Sequence, residues 1–456
     1  MPFTLVFDIR SNHDTGVSRY GLSLLKAVVP SAILEGWRLI VVVWDFQEER
    51  ALAAVNGLDA EILVCPDFQG FVRSSPWLRD LLISRCADFY YTSHYTADPF
   101  CPVPFAFTIH DLNRLRFPDL SYTEESFIRR FGHREFTRMK CELARLAEWD
   151  HMTEEENLFT RYFEALYACL LQGAGIVMVV SNATADDVQT HLGVQSDRLA
   201  FVPGGVDTTF FHPASEAKVA AVRMEYGLNR PYVLFVGLAH PTKRFHWLVD
   251  EMFRDGKEPS PGVQLAAVGG HAERLPRVGN LLAKLREDEV IFTGHVPDTN
   301  LVALYTGARA LVTATANEGI GLPCLEAMAC GTPVIAPDIP ALRETLGRTG
   351  LFYKPGDGDD FRFKLSGVLS APTYKPSPLL LPDWQISAVH FMNTMRRAMT
   401  PHLQVPKIHP SESPGSTTTW DTGSATTPSS NSARTGWPAP SAASTPLRTP
   451  PRPCSY

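Results

Sequence analysis

Short apolar runs alternate with helical patterns along the first half of the chain. Runs rich in β-branched and aromatic residues predict strands at residues 4–8, 39–44, 61–64, 89–91, 105–109, 175–180 and 199–202. Helical spacing predicts helices at 18–28 and 185–191, and a long charged stretch at about 122–172 predicts an inserted helical region. This alternation is typical of βα units on a parallel sheet.

A second alternation follows a segment rich in glycine and proline. Residues 203–213 contain Pro-Gly-Gly-Val-Asp, a composition typical of a linker between domains. Further strands are predicted at 232–236, 264–268, 290–293, 310–313 and 334–336. Two successive α/β units predict two facing domains, with a ligand cleft at the carboxyl ends of their strands.

The pattern weakens after Asp360. Residues 372–382 are proline-rich, and 384–399 have helical spacing. From residue 401 to 456 the chain is rich in Ser, Thr and Pro and almost free of Leu, Ile and Val. Because such a segment buries too little apolar surface to offset the entropy of ordering, it is predicted to be disordered.

Composition narrows the class of protein. The chain has 456 residues, a net charge of -7, 45% hydrophobic and 20% charged residues. This acidic balance argues against a nucleic-acid binder. The cysteines form no CxxC pair, and the N-terminus has no basic region before an apolar stretch. Both features are typical of a cytosolic chain. The longest apolar runs, 39–44 and 175–180, are too short to span a bilayer.

The most informative segment runs from Ala310 to Ala336. It is predicted to form a strand, a glycine-bearing loop with Glu318, a helix that Pro323 opens, a stop at Gly331 and another strand. Backbone N–H groups of residues 319–322 and the helix N-terminus would face an anion such as a diphosphate.

A carboxylate stands on either side of this anion site. Glu318 lies in the loop that faces the cleft, and Glu326 lies about one turn into the helix. Carboxylates accept hydrogen bonds from hydroxyl groups, which a sugar and a ribose both carry. The residues alone therefore predict a polyhydroxylated ligand that carries phosphate.

Glu318-Gly-Ile-Gly-Leu-Pro-Cys-Leu-Glu326, continued by Ala-Met-Ala-Cys-Gly-Thr-Pro-Val-Ile-Ala, resembles the Glu-x7-Glu signature of the family 4 retaining glycosyltransferases of GT-B fold (glycosyl transferases group 1). Its wording is most similar to mannosyltransferase-type members. Other segments resemble the family in order and spacing, so that the resemblance covers roughly residues 4 to 360: 16–20, 107–112, 180–184, 202–207 and 236–243.

The resemblance implies an α/β GT-B fold with two facing Rossmann-like domains and a donor cleft between them. It divides the chain into an N-terminal acceptor domain at 1–210, a donor-binding domain at 211–382, a returning helix at 383–400 and the tail at 401–456. It implies a co-substrate, a GDP- or UDP-linked sugar, with no metal and no other cofactor. The acceptor is a glycan, a lipid-linked glycan or a small molecule. The implied place of action is the cytoplasm, with room for peripheral contact at the inner membrane face.

The resemblance also assigns roles to single residues. His110 and Glu318 are expected to act at the reacting sugar, Lys243 to neutralise the donor diphosphate and Glu326 to bind the ribose. A retaining transfer would proceed by front-face attack. The full set expected at the donor is Gly16, Gly237, Lys243, Gly319, Ile320, Gly321, Leu322 and Glu326.

Several of these residues have plainer alternatives. Lys243 could be a solvated loop lysine, and the arginine that the family often has near it is absent unless Arg244 supplies it. His110 could be a structural histidine satisfied by the backbone, and Asp111 is expected to cap the following segment. Gly16 could be an ordinary turn glycine.

Two further segments have alternative readings. Residues 357–360 contain a DxD pattern that could hold a metal-bound nucleotide sugar, but a polar turn with solvated acids is expected. Residues 127–140 are basic and aromatic, which could place them on an anionic membrane or on a solvated helix face.

Two other functions remain open on the sequence. A catalytically impaired nucleotide-sugar binding protein of the same fold would account for the missing arginine and the irregular region after Asp360. An epimerase of similar fold would convert a free nucleotide sugar without an acceptor.

Overall fold

The computed structural model describes residues 2–11, 15–66, 75–95, 97–120, 122–146, 157–238, 240–253, 262–269, 282–283, 285–286, 288–371 and 381–399. The chain divides into two compact units, Met1–Val405 and Pro406–Tyr456. The second unit, and with it the predicted disordered tail at 401–456, lies outside the described residues.

The first half of the chain forms a parallel sheet. Its strands are β1 (Thr4–Asp8), β2 (Arg38–Val43), β3 (Ala60–Val64), β4 (Phe89–Thr92), β5 (Phe105–Ile109), β6 (Ala174–Val179) and β7 (Leu199–Phe201). Counting described residues only, these seven strands lie in the order β3-β2-β1-β4-β5-β6-β7. Leu5 pairs with Leu39 on one side and with Phe89 on the other.

The second half forms another parallel sheet. Its strands are β8 (Tyr232–Val236), β9 (Gln264–Val268), β10 (Val290–Gly294), β11 (Leu311–Val312), β12 (Val334–Pro337) and β13 (Leu351–Tyr353). In the described part of the chain the sheet has six strands, in the order β10-β9-β8-β11-β12-β13. The order reverses at β8, so a crevice opens where β8 and its neighbour β11 end.

Helices cover the sheets and follow the strands in alternation. In the first half they are α1 (Gly16–Leu34), α2 (Glu48–Val55), α3 (Pro76–Ser84), α4 (Asn113–Arg116), α5 (Glu124–Leu146), α6 (Leu158–Gly173) and α7 (Asn182–Leu192). In the second half they are α8 (Glu216–Glu225), α9 (Phe245–Phe253), α10 (Asp298–Gly307), α11 (Leu322–Ala329), α12 (Pro340–Leu346), α13 (Gly358–Ser370) and α14 (Trp384–Ala398).

Continuous apolar runs explain why the strands are parallel and central. Every residue of β1 is buried, as is every residue of β9. Strands covered by helices on both faces bury both sets of alternating side chains, so the middle positions of these strands are apolar. The predicted α/β class with two Rossmann-like domains is confirmed.

The predicted strands at 4–8, 105–109, 232–236 and 264–268 match the observed bounds. The other predicted strands differ by one residue at one end or at both ends. Two predictions were wrong: β13 was not predicted, and the region after Asp360 is helical, since α13 runs from Gly358 to Ser370. The domain boundary at residue 210 stays a prediction; β7 ends at Phe201 and β8 begins at Tyr232.

The first part of the predicted linker, residues 203–206, is packed against other segments, whereas residues 208–210, 212 and 213 are exposed. A Cβ atom on Gly204 would lie 2.5 Å from Cδ1 of Ile320, and one on Gly205 would lie 2.6 Å from the backbone nitrogen of Trp384. The backbone N–H of Val206 donates to the carbonyl of Pro382 at 2.9 Å. The paired glycines therefore allow close approach of the motif loop and of the chain that leads into α14.

The last described helix crosses back to the first half of the chain. The ring of Phe391 in α14 packs edge-on against that of Tyr91, with 4.7 Å between the ring centroids. It is tilted against the ring of Phe7, with 5.4 Å between the centroids. Arg396 pairs with Glu35 just beyond α1. The helical spacing at 384–399 thus corresponds to a helix that covers the first sheet.

The inserted helical region buries its aromatic face. Phe127 and Phe136 lie in the core of the first half, while Arg129 pairs with Glu125 at 2.5 Å. This arrangement corresponds to the solvated helix face expected as the alternative to a membrane surface. Residues 147–156 of the predicted insertion lie outside the described residues.

Helix α1 is long and apolar enough to cross a membrane, judged by length and composition alone; half of that stretch is buried inside the protein. No other helix in the described ranges meets the same test.

Candidate active site

The segment that carries the Glu-x7-Glu pattern folds as predicted from its local signals. It leaves β11, passes through a loop and enters α11, which Gly321 precedes in the left-handed conformation with φ 82°. Pro323 stands in the first turn, where a missing N–H has no helical acceptor to lose. Gly331, with φ 77°, follows the last turn and allows the chain to turn into β12.

A close contact joins the motif loop to the first half of the chain. A Cβ atom on Gly319 would lie 2.1 Å from the carbonyl oxygen of His110, at the end of β5. Only glycine permits this approach, and it brings the loop that holds Glu318 directly against His110. The backbone N–H groups of residues 319–322 make no hydrogen bond within the described residues.

Lys243 and Glu318 form an ion pair at this edge. Lys243 ends the short 3₁₀ turn Pro241–Lys243 after β8, and the backbone N–H of Ala316 donates to Thr242 at 2.7 Å. Burial acts to lower the pKa of Lys243, but the Glu318 carboxylate, with Asp111 nearby, raises it above its usual value. Lys243 is therefore a charged, partly buried residue paired with Glu318, and its contact with a donor diphosphate stays a prediction.

His110 is held by the backbone through one ring nitrogen. Its Nε2 lies 2.7 Å from the carbonyl oxygen of Ser93, and its ring meets that of Tyr20 edge-on at 4.8 Å. Because a carbonyl only accepts, Nε2 carries the hydrogen and Nδ1 remains an acceptor in the neutral ring. Asp111 accepts from the N–H of Asn113 at 2.9 Å, which is the expected capping contact.

Burial lowers the pKa of His110 to about 4, and the bond to Ser93 offsets only part of this effect. Since the folded pKa lies below the unfolded value of 6.5, the neutral ring stabilises the fold above pH 6.5. That contribution, up to about 3 kcal/mol, is lost as the pH falls from 6.5 towards 4.

An NMR titration of the His110 ring checks this expectation, with His110→Gln to assign the signal. The resonance should stay at its neutral position until the pH is below 5. A midpoint near 6.5 would contradict a desolvated ring.

Glu326 is buried and held from both halves of the chain. The Tyr305 hydroxyl donates to its Oε2 at 2.8 Å, and Nε of Arg19 lies 3.2 Å from its Oε1. Arg19 also binds Asp298 through two nitrogens, at 2.6 and 3.1 Å. Burial raises the pKa of Glu326 above its usual value, and Arg19 and Tyr305 oppose that rise without cancelling it.

A cavity of about 480 Å³ opens beside these residues. Its wall comes from the first turns of α1, from α2, and from the ends of β8 and β9 with the start of α11. Four of the predicted donor residues line it: Gly16, Gly237, Leu322 and Glu326. This pocket draws on both halves and is large enough for a nucleoside.

The other predicted residues lie beside the cavity in two groups. His110, Gly319, Lys243 and Glu318 meet where the motif loop touches the end of β5. Ile320 and Gly321 are packed against other segments instead. A Cβ atom on Gly321 would lie 2.7 Å from Cδ2 of Leu342. The Ile320 side chain fills the space beside Gly204, and Thr345 donates to the Ile320 carbonyl at 2.5 Å.

Arg19, which the sequence prediction did not single out, lines the cavity together with the cations Lys26 and Arg50. It stands in the Gly16–Tyr20 segment, but nothing local indicates its partners Asp298 and Glu326. Arg244 adopts a left-handed conformation with φ 48°. Its charge opposes the rise that burial causes in the pKa of Tyr353.

The DxD pattern begins a helix, so its prediction as a polar turn was wrong. Asp357 caps α13 by accepting from the N–H of Asp360 at 3.1 Å, and Asp359 pairs with Arg362. Among the described residues, no group of three or more His, Cys, Asp or Glu side chains could hold a metal ion. The metal-free expectation for the donor site stays a prediction.

Two family models match the chain. The model described as Glycosyltransferase Family 4 matches residues 15–210, and the model described as Glycosyl transferases group 1 matches residues 230–371. Together they cover the site from Gly16 to Glu326.

Curated relatives match over part of their length. The O-antigen chain mannosyltransferase B of Escherichia coli is 29% identical over 201 residues, which are 44% of this chain and 52% of the relative. The alpha-maltose-1-phosphate synthase of Mycolicibacterium smegmatis is 31% identical over 219 residues, 45% of this chain and 56% of the relative. The chain spans about half the length of these relatives.

Solved structures share the fold over most of the chain. The sucrose-phosphate synthase of Thermosynechococcus elongatus aligns with a TM-score of 0.59 at 19% identity, covering 87% of this chain and 98% of that one. HepE of Anabaena, solved with UDP and glucose, aligns with a TM-score of 0.57 at 16% identity, covering 87% and 95%. With two facing parallel-sheet domains and both family models in place, the chain belongs to glycosyltransferase family 4 and has the GT-B fold.

Proposed function

We propose that the protein transfers a sugar from a nucleoside-diphosphate sugar to an acceptor hydroxyl, with retention of the anomeric configuration. One observation carries the proposal: two glutamates stand on either side of a single loop. Glu318 stands with Lys243 at one end and Glu326 lines the cavity at the other. The N–H groups of residues 319–322 lie between them without a partner in the described structure.

The donor would lie with its nucleoside in the cavity and its sugar towards His110. Glu326 would accept from the ribose, the loop and Lys243 would hold the diphosphate, and Glu318 would hold sugar hydroxyls. Support for the nucleotide comes from HepE, which was solved with UDP and with UDP-glucose. The donor would be a GDP- or UDP-linked sugar, and Lys243 and the loop would hold its diphosphate without a metal.

The reaction would proceed by front-face attack. The acceptor oxygen forms a bond to the anomeric carbon while the bond from that carbon to the diphosphate oxygen breaks. The acceptor proton moves to the departing phosphate oxygen, so no separate protein base is needed. Lys243 and the loop stabilise the negative charge that develops on the leaving diphosphate.

Relatives bear on the sugar and the acceptor. The mannosyltransferases named for O-antigen chains, from Escherichia coli and Salmonella typhimurium, support mannose as the sugar and a glycan or lipid-linked glycan as the acceptor. The synthases with sugar-phosphate names support a small-molecule acceptor as the second choice. A cytoplasmic protein with peripheral contact at the inner membrane face would suit the first class.

A thermal-shift screen without metal tests the donor site. GDP, UDP, ADP and their sugar conjugates are added to the wild type, Glu326→Gln and the surface control Glu61→Gln. One nucleotide series should raise the melting temperature, by mass action on the folded state. At a concentration of 100 Kd the stabilisation is about 2.7 kcal/mol, and Glu326→Gln should remove most of it while Glu61→Gln keeps it.

Transfer is then measured with the binding donor and candidate acceptors. Nucleoside diphosphate released only with an acceptor supports the transferase. Binding without transfer or hydrolysis would favour the impaired binding protein, although α13 and α14 remove the irregular region that motivated that alternative. Conversion of the donor without an acceptor would indicate an epimerase. If no nucleotide shifts the melting temperature at millimolar concentration, the proposed function fails.

A further inference from the structure

Arg19 joins the two halves of the cleft. It lies in the first turn of α1, and its guanidinium binds Asp298 through two nitrogens and Glu326 through Nε. It also stacks over the Phe211 ring at 5.5 Å. The planar fork of an arginine can make these contacts together, whereas a lysine offers a single point charge.

Glu326 keeps capacity for a ligand despite these bonds. Tyr305 uses one site on Oε2 and Arg19 uses one site on Oε1. An ionised carboxylate offers about four acceptor sites, so about two remain. Because Glu326 lines the cavity and is only 4% exposed, a bound ligand meets those sites in a dry environment.

We infer that Arg19 is a positioning residue for the donor ribose. Its guanidinium fixes the orientation of Glu326 and keeps that carboxylate ionised, so that it accepts from ribose hydroxyls. This inference rests on the proposed function, because it assigns the nucleoside to the cavity. Arg19 acts through Glu326, and the first half of the chain thereby contributes to donor recognition by the second half.

The charge of Glu326 depends on its whole surroundings. Burial disfavours the ionised form, and Arg19 is the cation that opposes it. A protonated carboxyl group has less acceptor capacity and forms weaker bonds with hydroxyls. Several titratable groups interact electrostatically with Glu326. They are Arg19 on α1, Asp298 and Tyr305 on α10, Cys324 on α11, and Cys330 at the end of α11. His295 lines the same cavity.

The test separates the ribose from the rest of the nucleotide. Isothermal titration calorimetry measures UDP and GDP, each with its 2′,3′-dideoxy analogue, on the wild type and on Arg19→Gln. Arg38→Gln is the matched control, since it also removes an ion-paired arginine, the partner of Glu61, away from the cavity. The wild type and the control should bind the ribonucleotide about ten- to a hundredfold more tightly than the dideoxy analogue.

In Arg19→Gln this preference should fall to about threefold or less, while the dideoxy analogue binds within a few-fold of its wild-type affinity. The pH below which the protein no longer binds the ribonucleotide should also be higher in Arg19→Gln, because Glu326 then protonates more readily. An unchanged ribose preference and an unchanged pH profile in a folded Arg19→Gln would overturn the inference. If the wild type itself binds neither nucleotide, the proposed function fails instead.

Discussion

Replacing Lys243 by methionine is expected to lower kcat by about a hundred- to a thousandfold, the usual effect of removing a group that stabilises developing charge. Methionine keeps the aliphatic stem and removes the ammonium group. Lys243 stands beside Glu318 with a raised pKa, so the wild type presents a full positive charge to the leaving diphosphate. The rate of nucleoside diphosphate release with saturating donor and acceptor measures the effect.

The control is Lys364→Met, which removes a partly exposed lysine that lies 3.8 Å from Asp360 on α13. Its kcat should stay within about twofold of the wild type, since exposed pairs contribute little. If Lys243→Met lost less than tenfold in kcat while remaining folded, the leaving group would be neutralised elsewhere. Arg19 would then be the first cation to examine.

The central strands could be predicted closely because their signal is local. Leu5, Val6 and Phe7 are all fully buried, and a strand covered on both faces gives an unbroken apolar run. Strand β13 gives no such signal: it has three residues, two of which are half-buried. Short strands at the edge of a sheet carry too few apolar positions to stand out from a loop.

Helix α13 was missed although its spacing is regular. Phe361, Leu365 and Val368 are buried and follow one another at helical intervals. The acidic start at Asp357 resembled a solvated turn, and the prolines from residue 372 onwards suggested irregular structure. The same acids are favourable in the first turn of a helix, where they cap and oppose the dipole.

The candidate site shows the same difference between residues with a local sequence signal and residues without one. Glu318, Glu326 and the glycines between them were found because strand, loop and helix signals lie within one continuous segment. Arg19 and Asp298 are 279 residues apart and meet only because α1 faces the start of α10 across the cleft. No local pattern encodes such a contact. Gly319 lies between these cases. Its place in the motif was clear from the sequence, but the need for a glycine there comes from the close approach of the His110 carbonyl.

Replacing Phe391 by alanine is expected to destabilise the protein by about 3–5 kcal/mol, the range for a large buried aromatic residue. Phe391 is fully buried in α14 between Phe7 and Tyr91, so truncation leaves a cavity against the first sheet. Val389 on the same helix is 58% exposed, and Val389→Ala should change stability by no more than about 0.5 kcal/mol. Unfolding in urea, followed by circular dichroism, compares the two variants.

The difference in stability loss between Phe391→Ala and Val389→Ala tests whether α14 is held on the first sheet. This helix follows the second sheet in sequence but covers strands of the first, so loosening it should lower the stability of the first half in particular. Tyr91 and Phe7 lie on adjacent strands of that sheet, and their rings lose a shared partner in Phe391→Ala. Equal, small effects of both substitutions would mean that the helix is not held on the first sheet. A large effect of Phe391→Ala alone would show that α14 is held on the first sheet through Phe7 and Tyr91.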